Sequence, residues 1–280
     1  MLIPAAVGFA WFFVYPAVNS VIMSFYKSDL FRNESQFIGW ANFNSILTDP
    51  VFLKSLMNTV TYVFASGVPL IVLSLLFAIL IERCAAGRTV FRSLIYIPCI
   101  ISMTIAGMMW RLLFNPSIGY VNILLETLGI PGLPWLAVPN LSMIAVIIVG
   151  IWRGLGTNTV LFIAGLKSVS RDQLEAARVD GAKWHNEIFS IMLPALGHVT
   201  LFIVISTLIS SFQVFTLIKV MTEGGPNNAT NMLVYHLWQE AFRFFDIGRA
   251  SVISTILFLL LLFLSIIMIR VMDKGVSTYE

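Results

Sequence analysis

The chain has 280 residues, of which 58% are hydrophobic and 11% charged, and its mean hydropathy is +0.90. Soluble globular domains are about 45–50% apolar and about 25% charged, so this composition excludes one and points to a polytopic helical membrane protein. A β-barrel would show short alternating segments, and none is visible; the net charge of +3, scattered through the loops, leaves no footprint for nucleic acid.

Several apolar runs exceed the roughly 20 residues that cross a bilayer. They predict an all-α membrane protein with six transmembrane helices, at about 2–26, 56–81, 94–114, 141–166, 199–221 and 250–272. No low-complexity linker divides the chain, so a single transmembrane domain is expected over 1–280. The first run lacks a cationic leader and is too long for a signal peptide, so it reads as a transmembrane helix. Proline inside the spans, at Pro16, Pro69 and Pro98, is tolerated where neighbouring helices re-satisfy the backbone. Cys84 in a loop and Cys99 in a helix are expected as free thiols. His185, His198 and His236 have no metal-ligand spacing, so no metal site is expected.

Beyond the third span, residues 115–140 carry Pro116, Pro131, Pro134 and Pro139, a turn-rich cap over the helix ends. The fourth span contains Gly150-Ile151-Trp152-Arg153-Gly154-Leu155-Gly156-Thr157-Asn158. An arginine near the middle of a membrane costs roughly 2.5–3.5 kcal/mol on insertion scales, so it is expected to face a polar cavity or a partner. Gly150, Arg153, Gly154 and Thr157 recur at i, i+3, i+4 and i+7, one stripe of a helix. Trp152 falls off that stripe and reads as a packing or interface residue. The fifth span has a similar stripe in Thr207, Ser210 and Ser211, with Gln213 nearby. Small residues with Ser and Thr also serve tightly packed membrane helices. Packing does not require a guanidinium, however, and two polar stripes on consecutive helices could line one aqueous path.

Between those spans lies a polar island, EAARVDGAKWHNEIFSIMLP, from Glu175 to Pro194. A stretch this charged cannot lie in hydrocarbon. Ser170 and Gln173 have the spacing of a capping box, and Glu175, Ala176, Ala177 and Arg178 are good helix formers. Gly181 is placed to end that helix in a left-handed conformation. The pattern predicts a first helix of about ten residues, roughly 15 Å long, and a second from about Lys183. Pro194 would open the next segment as an early helical residue. After the fifth span, Glu223-Gly224-Gly225-Pro226 marks a sharp exit. Residues 232–245 then read as an amphipathic segment near the outer surface, with Trp238 at interface depth. Arg111 and Lys219, near the external ends of spans three and five, read as snorkelling cations.

Lys and Arg in the loops set the orientation. Arg83, Arg88, Arg92, Lys167, Arg171, Arg178, Lys183, Arg270 and Lys274 lie on one side, in dense groups. Lys27, Arg32, Lys54, Arg111, Lys219, Arg243 and Arg249 are spread over longer stretches on the other. Density makes the first side cytoplasmic, with both termini inside.

The ordered run Glu175-Ala176-Ala177, Asp180-Gly181-Ala182, Ile191, Leu193 and Pro194 resembles the EAA motif of ABC importer permeases, the inner-membrane components of binding-protein-dependent transport systems. The resemblance implies a type I (MetI-like) importer architecture. It also implies a cytoplasmic coupling loop at 168–198, whose helix rests in a groove of an ATPase subunit. Glu175, Ala176, Ala177, Asp180, Gly181, Ala182 and Pro194 are its coupling residues. One departure is His198, where the family usually has a further proline, and this bears on the bend into the following helix. The stretch from Trp110 through Asn115-Pro116 to Gly119, and the run Thr222 to Pro226, resemble the sugar-importing branch, with its maltose, glycerol-phosphate and oligosaccharide systems. Carried over by position, the family's mid-helix substrate contacts fall on Gly150, Arg153, Gly154, Thr157, Thr207, Ser210 and Ser211.

None of the 18 glycines is followed by lysine, so the chain has no phosphate-binding loop. The resemblance assigns ATP and Mg to a partner ATPase. It implies a second homologous permease, two ATPase subunits and an extracytoplasmic solute-binding protein, in the cytoplasmic membrane of a prokaryote, acting on a sugar or polyol. The alternatives are an ion-coupled secondary transporter and a channel subunit. Ion coupling would require intramembrane carboxylates, which the spans almost lack, and a channel gives no reason for the EAA run. An intramembrane enzyme would need a nucleophile with its base, or a metal cluster, at membrane depth, and neither is found.

Overall fold

The computed structural model describes residues 2–29, 32–84 and 86–276. Among the cations weighed for orientation, the side chains of Arg32, Arg171, Arg178 and Lys274 lie outside the described part. The chain opens with α1 (Leu2–Phe9), a π-helical stretch (Ala10–Val14) and α2 (Tyr15–Met23), continuous as one helix. A two-stranded antiparallel hairpin follows, β1 (Tyr26–Asp29) with β2 (Arg32–Phe37), in register Tyr26 to Phe37 and Lys27 to Gln36. The short α3 (Ala41–Leu47) then leads into α4 (Pro50–Arg83). The start of α4 is fixed locally: Asp49 accepts from the Val51 amide at 2.8 Å and Pro50 occupies the first turn, the N-cap arrangement that satisfies a free donor.

The remaining helices are α5 (Arg88–Ile100), α6 (Met103–Leu113), α7 (Tyr120–Thr127), α8 (Pro139–Leu166), α9 (Arg171–Val179) and α10 (Trp184–Asn186). A second π-helical stretch (Glu187–Met192) leads to α11 (Leu193–Ala195), α12 (Gly197–Phe212), α13 (Thr216–Met221), α14 (Leu233–Phe242) and α15 (Ile247–Val276). Among the described residues, four helices are long and apolar enough to cross a membrane, at Ile3–Met23, Pro50–Arg83, Pro139–Leu166 and Ile247–Arg270. Two further pairs qualify only as bent units: α5 with α6, at 95°, and Trp184–Ala195 with Gly197–Phe212, at 71°.

The bends have local causes. Between α5 and α6, Ile101 and Ser102 are extended, with ψ of 133° and 140°, so the helical hydrogen-bond ladder stops there. Ahead of α12, Leu196 leaves the helical region at φ −83° and ψ 3°. The chain therefore turns sharply with His198 in place of the family's second proline. The stretch read as one span over 199–221 holds two helices, α12 and α13, with an irregular turn at residues 213–215.

The core gathers around α8. A Cβ on Gly154 would meet Leu70 Cδ2 of α4 at 2.7 Å, and a Cβ on Gly156 would meet the Ile95 carbonyl, Cys99 Sγ at 2.8 Å and Tyr96 Cα at 2.9 Å of α5. Residues two apart on a helix lie about 200° around it, so the two glycines open opposite faces of α8, one to α4 and one to α5. Toward the α4 C-terminus, Ala78, Ile81, Phe162, Ile163, Leu196 and Ile203 pack together. Tyr62, Val146, Val149, Leu217, Ile218 and Tyr235 join in another cluster. Trp152 packs against that second cluster and meets the Trp110 ring edge-on at 5.4 Å between centroids, as a packing residue does. Both cysteines are free thiols.

The α14 segment buries polar side chains: His236, Gln239 and Glu240 are buried along with Leu233, Tyr235 and Ala241, while Phe242 and Phe244 are exposed. The reason is Arg249 at the start of α15. Its Nε donates to Glu240 Oε2 at 2.9 Å, Nη2 donates to Asp49 Oδ2 at 2.6 Å, and Nη1 donates to Ser45 Oγ at 2.5 Å. A buried carboxylate is stable there because the guanidinium compensates it. Asp49, His236 and Glu240 bring ligand-type atoms within 4.8 Å of one another. Arg249 pairs with both carboxylates, so the set forms an ion-pair clasp. Lys219 lies over the Trp238 ring at 3.9 Å, a cation–π contact in place of free snorkelling.

Burial is the main influence on the two titrating members of that clasp. It pushes the His236 imidazole below its ordinary value of 6.5, against the pull of Glu240 and Asp49. It pushes Asp49 up, but the Val51 amide and Arg249 outweigh it and hold the carboxyl below its ordinary 3.8. A group whose pKa is depressed by folding contributes stability above its unfolded pKa and loses it as pH falls through the folded value. The His236 contribution is therefore present above pH 6.5 and is lost on acidification below it. Two measurements check the packing and the clasp. Gly156→Ala is expected to cost about 1–3 kcal/mol and to lower the apparent Tm more than Gly154→Ala, because it meets backbone where Gly154 meets a movable leucine; the reverse order would refute the packing account. Lowering pH from 7 to 5 should reduce the Tm of the native protein, with a shallower slope in His236→Gln; parallel slopes would remove His236 from the account.

Candidate functional site

A cavity of about 750 Å³ opens between α4, α8 and α12, and the turn at residues 213–215 forms part of its wall. Its size falls in the range of small-molecule sites, about 300–1,000 Å³. All seven residues nominated from the helical stripes line it: Gly150, Arg153, Gly154 and Thr157 from α8, and Thr207, Ser210 and Ser211 from α12. The two stripes thus face each other across one space. Gly150 and Gly154 have a second role, since a Cβ on Gly150 would run into the Tyr62 hydroxyl and one on Gly154 into Leu70. Their small size brings α4 close, and their backbone then borders the cavity.

The lining hydroxyls are held by local hydrogen bonds that leave their oxygens able to accept. Ser210 Oγ donates to the Ser206 carbonyl at 2.8 Å and to that of Thr207 at 3.0 Å. Thr157 Oγ1 donates to Cys99 Sγ at 3.4 Å, and Cys99 Sγ donates to the Arg153 carbonyl at 3.3 Å. Asn158 Nδ2 donates to Thr207 Oγ1 at 3.0 Å in a buried contact that ties α8 to α12.

Several lining residues escaped the sequence reading. Asn158 stood in the quoted run, four residues after Gly154, and that spacing was the available signal. Tyr62 and Ser66 enter from α4. They are also four apart, but their helix is apolar enough to read as plain core. The 213–215 turn contributes Val214 and Phe215 beside Gln213, which the sequence had already placed near the stripe. Irregular backbone at membrane depth is tolerated where it borders such a cavity.

A second feature projects beyond the ends of α8 and α12. Ser170 Oγ accepts from the Gln173 amide at 3.4 Å, the first half of the expected capping box. The helix α9 runs nine residues, Arg171–Val179. Gly181 follows at φ +79°, and the Ala182 amide donates to the Ala177 carbonyl at 2.9 Å. That six-to-one bond with a left-handed residue is the Schellman closure. Glu175, Ala176, Asp180 and Pro194 are exposed, as are the large apolar side chains of Val179, Trp184 and Phe189. Beneath them, Arg83 at the end of α4 pairs with the buried Glu187 at 3.3 Å and lies 5.8 Å from the Trp184 ring. The loop is thus a structured, water-exposed knob with apolar contact points, seated on the membrane helices by an ion pair.

Loops at the opposite end of α4 are braced in a comparable way. Lys54 Nζ donates to the Asn227 carbonyl at 2.5 Å, and Asn58 Nδ2 donates to the carbonyls of Asn228 and Asn231 at 2.8 and 2.9 Å. These contacts hold the turn after α13 onto α4. In the proline-rich cap, the buried Asn122 donates to the Pro116 and Leu133 carbonyls and accepts from the Leu133 amide and Trp135 Nε1.

Comparison with known proteins bears on both features. Residues 52–278 match the family described as binding-protein-dependent transport system inner membrane component. The chain is 32% identical to the sn-glycerol-3-phosphate transport system permease protein UgpA of Agrobacterium fabrum over 95% of this chain and 90% of that one. It is also 32% identical to UgpA of Brucella abortus biovar 1, over 99% of this chain and 94% of that one. Among solved structures, it resembles a bacterial ABC transporter involved in import of the acidic polysaccharide alginate, with a TM-score of 0.83 at 22% identity, covering 96% and 94% of the two chains. The family match spans the cavity and the exposed loop alike, and the relatives align over nearly their whole length: the chain belongs to the inner-membrane permease components of binding-protein-dependent ABC transport systems.

Proposed function

We propose that the chain forms half of the translocation path of an ATP-driven importer for a carbohydrate or related polyol. The observation that carries this reading is the convergence of two polar helix stripes and an unwound turn on a single cavity. Hydroxyl, amide and guanidinium groups suit a solute whose many hydroxyls need partners once they leave water. The relatives' descriptions, a glycerol-phosphate permease and an alginate importer, support a polyhydroxylated solute. Six crossings are reached by taking each bent pair as one span, with both termini in the cytoplasm.

The exposed α9 loop fits a groove on a separate ATPase subunit, where ATP and Mg bind. Two such subunits, a second permease and an external solute-binding protein complete the assembly. A related alginate transporter is described in complex with its pentasaccharide-bound periplasmic protein, which supports the last of these. ATP binding would close the ATPase pair and carry the two loops with it. Driving a two-state equilibrium from 1:99 to 99:1 takes about 5.5 kcal/mol of differential binding. The loop supplies shape and contact for that coupling and no chemistry of its own.

Gly181 is the point at which to test the assignment. A Cβ there meets nothing within 4 Å, yet φ is +79°, so a side chain is opposed by backbone conformation alone. A left-handed L-residue costs roughly 1–2 kcal/mol, least for Asn. Gly181→Val should reduce recovery of the ATPase subunits with the purified permease about tenfold and impair ATP-driven uptake, while Gly181→Asn retains both. Undiminished association and uptake in Gly181→Val would overturn the docking role.

A further inference from the structure

Arg153 is the single ionisable side chain other than tyrosine among the residues that line the cavity; the other polar groups are hydroxyls, amides and backbone. Its Nε is buried without a hydrogen-bond partner, and among the described residues no carboxylate pairs with it. Arg83 pairs with Glu187, Arg92 with Glu82, and Arg249 with Asp49 and Glu240. Arg153, on the cavity wall, has no such carboxylate. A guanidinium keeps its charge and presents a planar fork that matches carboxylate and phosphate oxygens. Partly buried on the cavity wall without a counter-ion, it is costly to maintain at membrane depth unless something passing through the cavity compensates it.

A neutral sugar could offer it a hydroxyl oxygen and leave the charge standing. An oxyanion supplies charge and geometry together, in hydrogen bonds about twice as strong as neutral ones. A cationic solute would be repelled. The facing wall is Thr207, Ser210 and Ser211, with the amides of Asn158 and Gln213 nearby, and these groups are suited to the hydroxyls of the same solute.

We propose that the solute carried through this cavity is anionic: a polyhydroxylated molecule bearing a phosphate ester or a carboxylate, whose oxyanion rests on Arg153. The inference depends on the cavity being the translocation path, as argued above, and narrows the substrate class within that reading. Arg153 would then be a specificity-determining residue, favouring charged solutes over neutral ones of equal size.

The test uses the complete importer with its own solute-binding protein. The binding protein is first titrated with a defined panel of neutral disaccharides and glycerol, set against uronate disaccharides and glycerol phosphate. ATP-driven uptake of the bound probe into proteoliposomes is then measured for the native complex, Arg153→Gln and Arg153→Lys. The expected result is an anionic ligand, of uronate or phosphate type according to which arm binds. Its uptake should fall roughly ten- to hundredfold in Arg153→Gln and be partly retained in Arg153→Lys. A neutral ligand, or an anionic one carried equally well by Arg153→Gln, overturns the inference and leaves the carbohydrate reading intact. Failure of every panel member to bind counts instead against the carbohydrate reading, and the inference falls with it. The ligand's charge decides the matter even where neither variant assembles.

Discussion

The close approach of α4 and α5 to opposite faces of α8 underlies the rest of the molecule. Gly154 and Gly156 make it possible because neither leaves room for a side chain between the helices. Membrane helices gain little from hydrophobic burial against one another and associate through packing and interhelical hydrogen bonds. Once α8 is held between its neighbours, its remaining face, with Arg153 and Thr157, is left toward α12 and the cavity. Asn158 and Thr207 then bridge that gap at one level and set the distance at which the two polar walls stand. The cavity is thus what remains beside α8 once α4 and α5 are packed against it as tightly as glycine allows and α12 is bridged to it by polar groups.

Features set by local rules were readable from the chain. The α9 loop depends on a cap, a run of good helix formers and one left-handed glycine, all within a dozen residues, and its helix ends where those signals stand. The stripe on α8 was readable because one helical turn carries its own periodicity. Breaks without glycine or proline were not: Gln213-Val214-Phe215 holds no residue that forbids a helix, and the turn there reflects tertiary demand. Pro98 drew attention three residues ahead of the bend at Ile101 and Ser102. His198 seemed to remove a bend that Leu196 makes anyway. Least readable was the clasp of Asp49, Glu240 and Arg249, whose members are as much as 200 positions apart and unremarkable individually. From sequence alone residues 232–245 read only as an amphipathic segment; the partnership explains why His236, Gln239 and Glu240 are buried.

Charge is handled differently at the three levels of the molecule. Near the start of α4, Arg249 neutralises two carboxylates and joins α3, α4, α14 and α15 around one guanidinium. On the loop side, Arg83 pairs with Glu187 and, with Arg88 and Arg92 against Glu82, ties the ends of α4 and α5 to the loop base. Between those layers Arg153 has no such arrangement. Buried charges are normally compensated, so the two paired layers read as scaffold, while Arg153 stands partly buried on the cavity wall without a carboxylate among the described residues.

The irregular turn at residues 213–215 divides the cavity wall between two mechanical bodies. Thr207, Ser210 and Ser211 stand on a helix continuous back to Leu196 and the base of the α9 knob. Phe215 and Thr216 hang instead from α13, which leads into the Thr222–Pro226 bend and the braces on Lys54 and Asn58. The two parts of the lining thus have separate supports, one shared with the α9 knob and the other with the Thr222–Pro226 bend and its braces on α4.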